Sequence, residues 1–199
     1  MKNFEIGLAQ VEYTPELGLP LMGNFRDDYA ARGVHDPLCS RALVFQGPAG
    51  TKVALVTIDI CIIDRNNAAL MRRYIASQTD LRPDNVIIAA THTHSGPAAM
   101  ALGSLPKADD AAIERFLTKA ATAAVLANQR LKPSRLTIGT TVESRLSYNR
   151  RLRCKDSKTH MNWEGLDPEY VIEPLGPIDP QVTTLSIEQQ RPLSRYPTS

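Results

Sequence analysis

Val53-Ala54-Leu55-Val56-Thr57-Ile58-Asp59-Ile60 and Val86-Ile87-Ile88-Ala89-Ala90 are two strand-sized apolar runs. Both are rich in β-branched residues and too short for buried helices. Between them Asp64 or Asn66 can cap a helix on which Leu70, Met71, Tyr74 and Ile75 share one face. Pro83 then precedes the second run. Strand, helix, strand is a crossover unit, so the two strands are expected to be parallel and joined right-handedly. The second run is apolar throughout, which predicts a central strand with both faces covered.

Working outward, Arg41–Gln46 reads as a strand joined to Val53–Ile60 through Gly47-Pro48-Ala49-Gly50, a hairpin turn that makes this pair antiparallel. Phe4–Ala9 is a short strand, followed to residue 40 by a structured loop punctuated by proline and glycine. The clearest helix starts at Asp109 and Asp110 and carries its stripe on Ile113, Phe116, Leu117, Ala120, Ala124, Ala127 and Leu131. Pro133 stops it, and Arg135–Glu143 alternates like a half-buried strand. Tyr148–Pro180 shows no clean period and is expected to be irregular, which in a compact domain often signals function. Gln181–Glu188 is one more strand. The fold class is α/β: a mainly parallel or mixed sheet with flanking helices, residues 1–199 forming a single domain.

The chain has 199 residues, 43% hydrophobic and 22% charged, with a formal net charge of +2. That charge is too small to call for a nucleic-acid partner. The cluster Arg145, Arg150, Arg151, Arg153 and Lys155 lacks interleaved aromatics beyond Tyr148 and reads as a solvated loop containing one functional arginine. No apolar run nears the ~20 residues of a membrane-spanning helix. Met1-Lys2-Asn3-Phe4-Glu5 has no signal-peptide core, so the chain as written is expected in the cytoplasm; an upstream segment would permit secretion. Cys39, Cys61 and Cys154 are odd in number and far apart, and read as free thiols.

The strongest chemical signal is Thr91-His92-Thr93-His94-Ser95-Gly96-Pro97, at the carboxyl end of the second apolar run. Such ends are the usual ligand sites of α/β folds. Strand spacing of two predicts both histidines on one face, about 6.6–6.8 Å apart at the backbone. The imidazoles could converge on one metal ion, or one could bind metal while the other moves protons.

This block resembles the signature of the neutral/alkaline non-lysosomal ceramidase family. Further blocks follow in the family's order: Gly7–Pro15, Gly33–Leu38, Arg41–Val44, Val56–Asp59, and then Tyr148–Arg151 and Gly176–Pro180, which match the family's shorter, ceramidase-like hydrolases. The resemblance runs from residue 4 to about 193. It implies a zinc-dependent hydrolase of a linear amide, ceramide or another N-acyl amide. It assigns His92 as a zinc ligand, His94 as the residue that contacts the reacting amide, and Arg150 as an arginine near the substrate. The family's remaining ligands, a histidine, a glutamate and a tyrosine, lie beyond the final strand, and the chain stops at Tyr196-Pro197-Thr198-Ser199. An N-terminal part of a catalytic domain, truncated after about residue 193, is therefore expected to bind zinc weakly by itself.

Two other readings compete: a non-catalytic remnant lacking a complete metal site, and a barrel-type metal hydrolase with His-x-His on its first strand. At least two strands precede this pair, which disfavours the barrel. Among other polar residues, Asp59 is expected either to orient a metal-bound imidazole or to cap the turn or helix after it. His35 is expected to order its own loop through a hydrogen bond, and His160 to face solvent from a polar loop. The sequence leaves the oligomeric state open.

Overall fold

The structure, a computed structural model, describes residues 4–25 and 27–189. The strands are β1 (Phe4–Glu12), β2 (Leu21–Met22), β3 (Cys39–Gln46), β4 (Lys52–Ile58), β5 (Val86–Ala90), β6 (Gly96–Pro97), β7 (Lys132–Val142), β8 (Arg151–Cys154), β9 (Thr159–Met161), β10 (Val171–Pro174) and β11 (Gln181–Gln189); the helices are α1 (Arg65–Gln78) and α2 (Asp110–Gln129). The chain forms two compact units, one built on residues up to Arg135 and the other on Leu136–Ile187.

In the first unit the strands run in the order β7-β1-β3-β4-β5. β1 pairs antiparallel with β3 and, through Lys132–Ser134, with the start of β7. β3 and β4 form the antiparallel hairpin, closed by a Gly50 N–H donating to the Gly47 carbonyl at 2.9 Å. β4 and β5 are parallel, in register from Ala54↔Val86 to Ile58↔Ala90. The sheet is therefore mixed, with this single parallel ladder among its described pairings; the α/β class holds in its mixed form, and the mainly parallel alternative does not. β5 is also not central. It ends the strand order among the described residues, and Ile87 is 54% exposed.

Capping chemistry sets where both helices begin. Asp64 accepts from the Asn67 N–H at 2.8 Å and Asp109 from the Ala112 N–H at 2.8 Å, each satisfying a donor the first turn leaves unpaired. Helix α1 buries Met71 and Ile75, with Leu70 and Tyr74 packed beside them. Helix α2, which packs against β1, β3 and α1, buries Ile113, Phe116, Leu117 and a run of alanines that includes Ala120, Ala124 and Ala127. Those alanines permit close approach: a Cβ added at Gly7 of β1 would lie 1.8 Å from the Ala127 carbonyl oxygen. Burying Phe116 alone is worth about 1.5–3 kcal/mol.

The second unit corrects the expectation that Tyr148–Pro180 is irregular. β10, β8 and β9 form a three-stranded antiparallel sheet in that order, and β7 continues beside β11. The strands of the small sheet are three or four residues long, too short to show a period in the sequence. Residues 190–199, where the sequence reading expects the truncation, lie outside the described residues. Among the described residues, no helix is long and apolar enough to cross a membrane.

Candidate functional site

The two histidines lie just past β5, and the backbone there stays tied to β4. The Thr91 N–H donates to the Ile58 carbonyl at 3.0 Å and the His92 N–H to the Ile60 carbonyl at 3.0 Å. His92 then turns into the left-handed region with φ +63°. That conformation is uncommon for a residue with a Cβ, although histidine tolerates it better than most. The pair is thus not on a strand, and alternation along one does not explain its geometry.

The imidazoles nevertheless converge. His94 Nε2 lies 3.3 Å from His92 Nε2, with the rings edge-to-face at 4.8 Å between centroids. The far nitrogen of His92, Nδ1, lies 2.8 Å from the Cys61 carbonyl. A carbonyl only accepts, so Nδ1 carries the proton and Nε2 presents a lone pair, the arrangement by which backbone oxygens orient metal-binding histidines. Cys61 Sγ lies 3.6 Å from the same Nδ1, and burial pushes this thiol up from its ordinary pKa.

Two short segments hold His94 in place. β2 pairs with β6, Met22 opposite Gly96 and Leu21 opposite Pro97, which brings Gly23 onto the His94 ring. A Cβ at Gly23 would fall 2.3 Å from His94 Cγ. Gly96 has little more room: a Cβ there would meet the Asp59 carbonyl at 2.8 Å.

Asp59 is neither a cap nor a partner of the imidazoles. Its carboxylate accepts from the Cys39 N–H at 2.9 Å and the Thr91 hydroxyl at 3.1 Å, and Arg41 Nη1 lies 3.2 Å from it. It therefore fastens the start of β3 to the loop entering the histidine pair. The buried Tyr13 hydroxyl donates to the Asp59 carbonyl at 2.6 Å. Burial first, then the neighbouring Asp59 and Cys39, hold that phenol far above its ordinary pKa, so it acts as a fixed donor.

Beside the histidines, Thr93 and Ser95 border a cavity of about 590 Å³ walled by Leu17, Leu19, Leu38 and Pro97. His35 also lines it and pairs with Asp36 at 2.8 Å, as expected of a loop-ordering histidine. His160 differs from expectation. It sits in β9 of the second unit, bridging Glu164 at 2.8 Å and Asp156 at 3.1 Å. Arg150 belongs to the same unit, where its guanidinium lies 5.8 Å from the Trp163 ring centroid.

The donors at the histidine pair suit the zinc implied by the family resemblance. Two nitrogens held at about 2.0–2.1 Å by one tetrahedral ion stand about 3.3–3.4 Å apart, which is the spacing of the His92 and His94 Nε2 atoms. One donor atom each from Cys61, His92 and His94 lies within 4.8 Å of the others. Imidazole and thiolate together are characteristic zinc donors. Cys61 reads from the sequence as a free thiol, and it is free and buried; its nearness to His92 depends on the parallel register of β4 and β5, which no local pattern shows.

Residues 4–193 match the family model described as neutral/alkaline non-lysosomal ceramidase, N-terminal. Over 95 residues the chain is 33% identical to a neutral ceramidase of Oryza sativa subsp. japonica and 32% identical to neutral ceramidase 2 of Arabidopsis thaliana. In each case 46% of this chain and 12% of the relative is covered, so the chain spans about an eighth of the length of these curated relatives. The crystal structure of neutral ceramidase from Pseudomonas aeruginosa superposes with a TM-score of 0.66 at 26% identity, covering 95% of this chain and 30% of that one. The chain therefore belongs to the neutral/alkaline non-lysosomal ceramidase family and corresponds to its N-terminal region.

Proposed function

We propose that this segment supplies the histidine part of a zinc-dependent site that hydrolyses a linear amide, ceramide or another N-acyl amide. The convergence of His92 and His94 Nε2 at 3.3 Å carries this reading. Zinc held there would supply Lewis acidity to activate water and polarise the amide carbonyl. His92 is the ligand, its ring fixed by the hydrogen bond from Nδ1 to the Cys61 carbonyl. His94 Nε2 donates to the carbonyl oxygen as negative charge develops on it and passes a proton to the departing nitrogen, so that amide and water become acid and amine. The cavity bordered by Thr93 and Ser95 offers room for an apolar arm of the substrate. Arg150 takes its substrate-positioning role from the family resemblance alone.

The test is amide release from an N-acyl sphingosine by a full-length family member carrying this segment. His92→Ala should abolish zinc-dependent turnover. His94→Ala should lower kcat by about 10²–10⁴-fold, the usual contribution of a positioned acid–base group. Turnover unchanged by His92→Ala would remove that residue from the mechanism.

A further inference from the structure

Resting on the reading that Arg150 meets the substrate, we infer that Trp163 is a positioning residue for it. The indole face holds the guanidinium while the N–H donors of that group stay open to an oxygen of the substrate. Both residues belong to the second unit, and each is mounted on a pinned stretch of backbone. Arg150 sits where the chain enters β8. Its carbonyl accepts from the Asn162 N–H at 2.9 Å. The Arg151 N–H donates to Asn149 Oδ1 at 3.0 Å, and the Arg151 carbonyl accepts from the Leu175 N–H at 2.9 Å. Trp163 occupies the turn that leaves β9. There the Glu164 N–H donates to the Met161 carbonyl at 3.0 Å. The Glu164 carboxylate closes the turn, accepting from the Met161 N–H at 2.9 Å and meeting His160 Nδ1 at 2.8 Å. The bond from Asn162 to Arg150 joins the two mounts, and beside it the guanidinium carbon lies 5.8 Å from the Trp163 ring centroid. That is within the ~6 Å reach of a cation–π contact.

Two further observations set this pair apart from an ordinary surface contact. The neighbouring cations are engaged by carboxylates, Arg145 by Glu143 at 2.5 Å and Arg153 by Glu173. Among the described residues no carboxylate pairs with the Arg150 guanidinium, which meets the Trp163 ring instead. Trp163 for its part is 62% exposed, so a large apolar ring stands in water and adds little to a core. Arginine stacks on an aromatic face through its flat side, and its N–H donors lie in the plane of the guanidinium. A ring partner therefore restrains the group without occupying the donors that fit a carbonyl, carboxylate or hydroxyl oxygen. Restraining the long side chain before substrate arrives removes part of the ordering cost of binding.

Two measurements test this role. Trp163 is the only tryptophan of the 199-residue chain. Proton NMR of that chain should show the Arg150 side-chain methylenes shifted upfield by the indole ring current, the shift being lost in Trp163→Leu and kept in Trp163→Phe. The second measurement is turnover of an N-acyl sphingosine by a full-length family member carrying this segment. Arg150→Leu should raise KM by about 10–10²-fold, as loss of hydrogen bonds from a charged donor does. Trp163→Leu should raise KM by about 2–5-fold with kcat unchanged, the equivalent of one exposed cation–π contact. Trp163→Phe should bring KM back to within about twofold of wild type. In the Arg150→Leu background Trp163→Leu should add nothing, because an indole that acts through the guanidinium then has nothing to position. A KM effect of equal size in both backgrounds, or a wild-type KM in Trp163→Leu, would overturn the role of Trp163 and leave Arg150 at the substrate. An Arg150→Leu enzyme with wild-type KM would remove Arg150 from the substrate site, overturning that reading and the role of Trp163 together. Absence of the upfield shift in the unsubstituted chain would overturn the role of Trp163 by itself, even if a variant fails to fold.

Discussion

Gly23→Ala should dismantle the histidine pair from outside it. The added Cβ would lie 2.3 Å from Cγ, 2.6 Å from Cβ and 2.7 Å from Cδ2 of His94, where ordinary contact begins near 3.4 Å. His94, or the β2–β6 connection that holds Gly23 against it, must therefore move by about 1 Å. The backbone adds its own cost: Gly23 has φ +117°, and holding an L-residue there costs about 1–3 kcal/mol. A displacement of 1 Å in a catalytic geometry lowers rate by about 10²-fold, and metal–ligand distances tolerate only about 0.2 Å. Two other glycines separate these effects. Gly18 has φ +90° and nothing within 4 Å of where a Cβ would stand, so Gly18→Ala reports backbone strain without a clash. Gly33 has open space and ordinary φ, so Gly33→Ala should change stability by no more than about 0.5 kcal/mol. Denaturant unfolding, amide turnover in a full-length family member, and the nuclear Overhauser effect between the two imidazoles provide the readouts. Gly23→Ala should lose the imidazole contact and lower turnover of a full-length family member by about 10²-fold, while Gly18→Ala loses stability alone. A Gly23→Ala chain with an intact imidazole contact would refute the packing argument.

Gly7→Ala tests how α2 sits on the sheet. Its Cβ would lie 1.8 Å from the Ala127 carbonyl oxygen, against backbone rather than a flexible side chain, so the cost should reach or exceed the ~1–3 kcal/mol of ordinary overpacking; an unfolding midpoint equal to wild type would refute the close approach. His160 should titrate above its ordinary pKa, raised by hydrogen bonds first from Asp156 and then from Glu164, whose own pKa values are lowered, chiefly by His160. The histidine contribution is fully present below its unfolded pKa of about 6.5 and is lost as pH rises through the folded value. The carboxylate contribution is present above about 3.9–4.3 and is lost as pH falls through the lowered values. Local protection of β8 and β9 to hydrogen exchange should therefore be greatest between about pH 4.3 and 6.5, and His160→Gln should flatten that dependence; an unchanged profile in the variant would show that His160 is not its source.

Much of the first unit was legible because its elements are long and their burial is one-sided. The stripe of α2 and the Leu70, Met71, Tyr74, Ile75 face of α1 repeat at helical spacing and meet the same core. The hairpin from β3 to β4 announces itself in Gly47-Pro48-Ala49-Gly50, and Asp64 and Asp109 cap the helices as their positions suggest. Elsewhere hydrophobicity misled. Val86–Ala90 is apolar on both faces, yet only the side carrying Val86, Ile88 and Ala90 meets the core. The period of a strand tells which residues share a face, not whether a neighbour covers the other one. In the second unit, Arg151-Leu152-Arg153-Cys154 does alternate, with Cys154 buried, but four residues cannot be told from chance.

The two imidazoles converge, but not through the geometry expected of a strand. Equal parity on a strand would leave the two Cα atoms about 6.6–6.8 Å apart with parallel side chains. In the molecule, β5 has ended, and the left-handed turn at His92 aims one ring nitrogen at Cys61 and the other at His94. Holding that turn requires partners remote in sequence: the Ile60 carbonyl for the His92 N–H, Asp59 for the Thr91 hydroxyl, and Gly23 beneath the His94 ring. These partners come from separate stretches of the chain, which is why no local pattern could specify the turn. The parallel ladder supplies the remaining link. Ile58 of β4 is paired with Ala90 of β5, so the residues that follow each strand emerge side by side. Cys61 and His92 meet for that reason, and a cysteine placed one strand away becomes part of the histidine site only when the register of that ladder is known.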